Sequence, residues 1–415
     1  MRRKTQIATW IAGLGAALLA PALLTLAAPD ARAQDAETIK VAVIAPLSGP
    51  WARQGQLIQL GAEMAVDEIN EKGGIEALGG AKLELLTADA GDTPEKAKNA
   101  AQRLIAQEPN LMGGTGAWLS SFTLAVTEVT ERAQVPWLTL SYADSLTERG
   151  FEYIFQTSLP ASQQSAQALP TILELAEQAT GGIPQTAGII GDNTASPEAF
   201  LKPMREGGLE AMGIEVVMDE TYTPPLSDAT PLIQRVRSAQ PEILLFISSN
   251  IPDLKLGLEK LNEFQLGDIP VIGNGAHNGA PEVLNNIAPE LLEGMMFVVA
   301  DWSLKGQEDI IERFKERTGE PWMTQDSITA YGDMWILKEA LERVGEADRI
   351  KVAEEIHKMQ LTEGPAASAF PGLVAFGEDG RRTGAQLVIV QWQNGEPKVV
   401  YPPASAMAKP VWSKQ

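Results

Sequence analysis

The chain has 415 residues, 54 acidic against 33 basic side chains, a net charge of −21, no cysteine and two histidines. Without cysteine there are no disulfides, no thiolate chemistry and no cysteine-ligated metal, and His277 and His357 alone make zinc or haem sites improbable, so neither a metal nor a cofactor is expected. Such an acidic balance disfavours nucleic acid and anionic membrane surfaces as partners and suits a solvated surface that keeps the protein soluble.

Residues 1–33 read as a cleavable signal peptide. Arg2-Arg3-Lys4 is a positive start, Ile7 to Ala28 is apolar, and Ala31-Arg32-Ala33 is a small-residue cleavage site. Pro21 interrupts the apolar run, which argues against an uncleaved anchor, and Arg2-Arg3 leaves a twin-arginine route open beside the general secretory one. Removing 33 of 415 residues, four of them basic and one acidic, leaves 382 residues with a net charge of −24. That length suits two or three domains. No second run is long enough to span a bilayer, so the product is expected to be soluble outside the cytoplasm.

From Ile39 the pattern is strand, turn, helix, repeated. Strand Ile39 to Ile44 ends at the turn cluster Pro46 to Pro50, and a helix follows to Lys72, stopped by Gly73-Gly74. Strand Leu83 to Leu86 precedes a helix from Glu95 to Gln107, capped by Thr93 or Asp92. The apolar run Pro109 to Met112 leads into a glycine-rich turn, Gly113 to Ser121, then helical Phe122 to Ala133 and strand Val135 to Leu140. After Tyr153 to Phe155 the rhythm restarts with helix Ser162 to Gln178, strand Ala187 to Ile190 and its turn Gly191 to Thr194. A helix through Glu210, strand Ile214 to Met218 and helix Thr230 to Ala239 come next. Strand Ile243 to Ile247 exits through Ser248-Ser249-Asn250, and strand Ile269 to Ile272 exits through Gly273 to His277. Helices Gln307 to Arg317, Ser327 to Val344 and Ile350 to Met359 then mix with strands Leu373 to Phe376, Gln386 to Trp392 and Lys398 to Tyr401.

This alternation predicts an α/β fold with mainly parallel sheets flanked by helices. Ligands of such sheets sit beyond the carboxyl ends of the strands, which puts the loops Pro46 to Gln54, Gly113 to Ser121 and Ser141 to Ser145 on one rim. Ser120 and Ser121 at a helix start suit an anion, because the first helical amides are unpaired and the helix dipole favours negative charge there. The alternative is that either serine is simply an N-cap. His277, in a Gly/Asn turn at a strand end, either lines a site or is a hydrogen-bonded loop residue. The pairs Asp67-Glu68 and Glu354-Glu355 read as solvated helix faces. Nucleophile elbow, phosphate loop and zinc-protease motifs are missing, and Gly114-x-Gly116 lacks the third glycine of a dinucleotide fingerprint, with Leu119 there.

Ile44-Ala45-Pro46-Leu47-Ser48-Gly49-Pro50 and Ala65-Val66-Asp67-Glu68-Ile69-Asn70-Glu71-Lys72-Gly73-Gly74-Ile75 resemble the leucine/isoleucine/valine-binding family, periplasmic receptors of ABC importers for branched-chain and related amino acids or amides. Further matches run collinearly through Asp92 to Ala97, the Gly113–Ser121 turn, Leu146 to Phe151, Ala330-Tyr331-Gly332 and Val390 to Gly395. The resemblance implies a type I periplasmic-binding fold of two Rossmann-like lobes, one from 36–158 and 300–383, the other from 159–299 and 384–405. Three crossovers would fall near Ser158, Ala300 and Gly384, and the lobes would close on a ligand between them.

Carried over by resemblance, Ser120 looks like the serine that binds the ligand carboxylate, and Ser141-Tyr142-Ala143 like the loop that adds contacts to the same group. The family threonine falls at Ala143 or Asp144, and an Asp there would repel an anion. The first-lobe aromatic falls at Gln54, with Trp51 or Trp118 as substitutes. The second lobe would present Asn193, Asn250 and His277. Where amino-acid-binding members place an acid for the ammonium, this chain has Asn274-Gly275-Ala276. The disulfide of some members is replaced by Gly91 and Leu119. The implied role is a monomeric, non-enzymatic receptor delivering a small amino-acid-like, amide or carboxylate ligand to a permease and ATPase complex. The alternative is a ligand-sensing subunit on the same fold.

Overall fold

The computed structural model describes residues 38–412, and the expected signal peptide lies outside the described residues. Five parallel strands form a first sheet: β1 (Ile39–Ala45), β2 (Leu83–Asp89), β3 (Gly113–Gly116), β4 (Trp137–Thr139) and β5 (Ile154–Gln156), in the order β2-β1-β3-β4-β5. A second sheet contains β6 (Thr186–Asp192), β7 (Glu215–Tyr222), β8 (Ile243–Ile247), β9 (Val271–Asn274) and β10 (Met296–Val299). β11 (Gln360–Leu361) and β12 (Val374–Ala375) pair only with each other, and β13 (Val388–Gln393) and β14 (Glu396–Tyr401) complete the second sheet. Its order is β14-β13-β10-β9-β8-β6-β7, with β13 antiparallel to both its neighbours.

The helices between parallel strands bury apolar stripes against these sheets, as crossover connections must. One core gathers β1 and β4 with Ile310, Phe314, Tyr331, Met334 and Phe376. Two further clusters cover the faces of the second sheet, from Leu159 and Leu169 to Trp302, Leu304, Val388 and Trp392.

Several elements differ from the sequence expectation. The strand entering the glycine-rich stretch is Gly113–Gly116 itself, and Pro109 to Met112 lies outside it. Glycine is needed there because a Cβ on Gly114 would sit 2.4 Å from the Trp137 ring on the neighbouring strand. β10, a continuous apolar run after Gly294, and the helix Ile251–Glu263 were not anticipated. The helix expected to run through Glu210 breaks after Pro203, at a kink where Gly207 has φ 100°.

The helices Ala52–Glu71 and Gln325–Val344 pack along one another. They approach closely at Gly61, where a Cβ would lie 2.0 Å from the Ser327 carbonyl oxygen, and the Ser327 hydroxyl donates to the Leu57 carbonyl at 2.9 Å. Glu68, expected to face solvent, instead pairs with Arg313 and accepts from the Tyr331 hydroxyl at 2.9 Å, tying three helices together. Gly61→Ala is therefore expected to force these helices apart, costing about 1–3 kcal/mol as overpacking usually does. Thermal unfolding checks this: a melting temperature several degrees lower is expected, and an unchanged one contradicts the close approach.

Candidate functional site

Beyond the carboxyl ends of both sheets lies a cleft whose walls are the strand exits. β3 exits into Trp118, Leu119, Ser120 and Ser121, and β4 into Leu140, Ser141 and Tyr142. Opposite them, β6 leads to Thr194 through Pro197, β8 to Ser248 and Ser249, and β9 to Asn274 through His277. Asp326, second residue of the helix Gln325–Val344, completes the lining. The void is about 50 Å³, room for roughly three to five waters.

The β3 exit is the most constrained backbone in the site. Gly116, Ala117 and Trp118 are consecutive left-handed residues, with φ 111°, 67° and 52°. Such conformations cost non-glycine residues about 1–3 kcal/mol each and persist only where surroundings over-determine them. Here the Ala117 amide donates to the Ile44 carbonyl, the Ser141 hydroxyl donates to the Trp118 carbonyl at 2.7 Å, and the Trp118 indole N–H donates to Asp326 Oδ1 at 2.9 Å. The turn delivers Ser120 and Ser121 as the first two residues of the helix Ser120–Arg132. The N-cap is Leu119, which has no capping side chain, so the N-cap reading of either serine does not hold. Ser120 Oγ accepts from the Ala143 amide at 3.1 Å, which leaves its hydroxyl proton free.

On the facing wall Asp192 organises the loops. Its Oδ1 accepts from the Thr194 amide (2.9 Å) and hydroxyl (2.6 Å), and its Oδ2 from the Ser249 amide (2.6 Å). His277 stacks edge-on against Trp118 across the cleft, ring centroids 5.9 Å apart at 88°. Burial pushes its imidazole down to about 4, with a backbone hydrogen bond to Ser248 opposing, so it is neutral at pH 7. Burial pushes the Asp326 carboxyl up to about 7, against the lowering effects of the Trp118 hydrogen bond and the Arg53 charge.

Three buried polar atoms on this lining have no hydrogen-bond partner: Ser249 Oγ, His277 Nε2 and Asp326 Oδ2. Buried polar groups are normally satisfied, and leaving one unpaired costs about 1–3 kcal/mol. Three around one void therefore mark a place for a polar ligand. The lining also includes the starts of three helices, Ser120–Arg132, Ala195–Pro203 and Gln325–Val344, whose positive dipole ends favour an anion.

Of the residues singled out from sequence, Trp118, Ser120, Ser121, Ser141, Tyr142, Gly275 and His277 come together on this lining. The Ser141 hydroxyl is occupied by the turn, and the Tyr142 hydroxyl donates to Gln325 Oε1 at 2.6 Å. Five others lie outside the lining. Ala143 backs Ser120, and Gln54 is buried in the helix Ala52–Glu71. Trp51 packs edge-on on Phe122 and donates its indole N–H to the Ser249 carbonyl at 3.2 Å. Asn193 is exposed and donates to Thr223. Asn250 caps the helix Ile251–Glu263 by accepting from the Asp253 amide at 2.8 Å. The Asp144 carboxylate, a concern for an anion, accepts from the amide and hydroxyl of Ser162 instead. Sequence reasoning missed Ser249, the 194–197 helix start and Asp326. Thr-Gln-Asp ahead of the apolar pattern was a readable helix start for the last.

The periplasmic binding protein family model matches residues 38–397, and the chain belongs to that family. Leu/Ile/Val-binding protein homolog 7 of Brucella suis biovar 1 is 28% identical over 403 residues, covering 95% of this chain and 97% of that one. Among solved structures, the branched-chain amino acid transporter substrate-binding protein LivJ of Streptococcus pneumoniae, in complex with isoleucine, aligns with TM-score 0.76 at 20% identity, covering 88% of this chain and 100% of that one. A solute-binding protein of an ABC transporter from Rhodopseudomonas palustris BisB5, in complex with 3,4-dihydroxybenzoic acid, aligns with TM-score 0.72 at 22% identity, covering 87% and 95%. The fold is the type I periplasmic-binding fold these structures share.

Because the folded-state value of His277 lies below its unfolded value, the stability tied to its neutral form is complete above about pH 6.5 and is lost as pH falls toward 4. The stability difference between wild type and His277→Gln should accordingly move against wild type by up to about 3 kcal/mol between pH 7 and pH 4. Paired denaturant titrations at the two pH values check this, and a pH-independent difference contradicts a buried neutral imidazole.

Proposed function

We propose that this protein is the solute-binding receptor of an ABC importer. In this reading it is exported to the periplasm by a cleaved signal peptide and acts as a monomer without chemical turnover. It captures a small amino-acid-like, amide or carboxylate ligand in the cleft and hands it to a membrane permease and its ATPase. Residues 36–158 with 300–383 and residues 159–299 with 384–405 move as two lobes, parting to admit the ligand and closing over it.

The observation that carries this reading is the ring of unpartnered buried groups, Ser249 Oγ, His277 Nε2 and Asp326 Oδ2, around a void lined from both sheets. The small void supports hinge motion, since a ligand of amino-acid size needs the walls to separate on entry. Ser120, with a free hydroxyl proton at a helix start, suits a carboxylate. The relatives support the ligand class, being named for branched-chain amino acids or solved with isoleucine and aromatic acids.

Thermal-shift titration tests the reading. An amino acid, amide or aromatic or aliphatic acid at a hundred times its dissociation constant should stabilise the protein by about 2.7 kcal/mol, and failure of every such compound to raise the melting temperature contradicts it. Ser120→Ala should weaken binding by about ten- to a hundredfold, the worth of a hydrogen bond to a charged group, with melting of the free protein little changed. Unchanged affinity removes Ser120 from the site.

A further inference from the structure

Among the described residues Asp326 is the single carboxylate on the cleft lining, and it is fully buried. One oxygen is held by the Trp118 indole at 2.9 Å and the other has no partner. The cation whose charge bears on it, Arg53, pairs through one guanidinium nitrogen with Glu320 at 2.5 Å. The other titratable groups around it are His277, on the same lining, and Tyr142, whose hydroxyl is bound to Gln325. A carboxylate in that state has a docked side and an empty side, and the empty side calls for a donor. None of the lining side chains supplies one. The loop Asn274-Gly275-Ala276 offers no acid to a ligand cation, so among the described residues the acidic acceptor on the lining comes from the other wall, on the helix Gln325–Val344.

We propose that Asp326 is the specificity-determining acid of the cleft: its free oxygen receives an ammonium or hydroxyl group on a ligand whose carboxylate lies against Ser120 and Ser121. This rests on the solute-binding reading above and narrows it to ligands that carry a carboxylate and a hydrogen-bond donor. Trp118 is a positioning residue in this arrangement, because its indole orients the carboxylate without reaching for the ligand. An ammonium would draw Asp326 into its charged form and pair with it, and a hydroxyl needs only an acceptor.

Calorimetric titration of the full mature protein with two matched pairs tests the proposal: L-isoleucine against 3-methylpentanoate, and 4-hydroxybenzoate against benzoate. Within at least one pair, the donor-bearing compound should bind wild type about tenfold or more tightly than its donor-free partner. Asp326→Leu should bring that ratio close to one by weakening the donor-bearing compound alone. Asp326→Asn, which keeps an acceptor but no charge, should lower the ratio for isoleucine far more than for 4-hydroxybenzoate, and so tells the two donors apart. Should Asp326→Leu fail to fold, Trp118→Phe is read instead, and the ratio should fall there too. Ratios near one in wild type, or ratios that neither variant changes, overturn the role of Asp326 while leaving the receptor reading intact. Failure of all four compounds to bind contradicts the receptor reading for these ligand classes, and the proposal falls with it.

Discussion

The cleft depends on one hydrogen bond, from the Trp118 indole to Asp326. It joins the exit of β3 to the start of the helix Gln325–Val344, two segments 208 residues apart in sequence. At one end it helps to hold the left-handed turn that leads to Ser120 at the head of its helix. At the other it fixes one carboxylate oxygen and leaves its twin without a partner. The strain in the turn is offset by bonds from β1, from Ser141 and from Asp326, each of which comes from a different element.

Around this link the electrostatics divide the site. Three helix starts make the cleft receptive to an anion, while burial keeps His277 neutral and leaves Asp326 as the single lining acid. The second wall is ordered by another buried carboxylate, Asp192, whose four acceptor sites are largely filled by Thr194 and Ser249. Asp192 and Asp326 thus differ in kind: the first accepts three hydrogen bonds from protein donors and organises backbone, and the second, on the cleft lining, has one oxygen without a partner. Gln325, one residue earlier, accepts from Tyr142 and from the Ala300 amide and donates to Ser158. The same helix start therefore meets both the cleft lining and the loops that follow β5 and β10.

The alternation of strands and helices was legible because the central strands such as β1 and β8 are apolar and the crossover helices carry a stripe, so local pattern and tertiary packing agree there. β3 was misplaced because its glycines carry no apolar signal. The cause is the Trp137 ring on the next strand, a contact invisible along the chain. The helix start that brings Ser120 and Ser121 to the cleft lining was legible from the glycine-rich turn and the helical pattern behind it. The acid was not, because the helix that carries it begins two residues before its apolar pattern, and its meaning depends on an indole far away in sequence. Asn193 and Asn250 were drawn in by their place in strand-exit loops, yet a polar side chain there serves a turn or a cap as readily as a ligand.

The most direct measurement is a crystal structure of the protein with isoleucine or 4-hydroxybenzoate bound. The account predicts the ligand carboxylate within about 3 Å of Ser120 Oγ and the first amides of its helix, and the ligand's ammonium or hydroxyl within about 3 Å of Asp326 Oδ2. A ligand lying with its carboxylate away from Ser120, or seated outside the lining with Asp326 Oδ2 still unpaired, would contradict it.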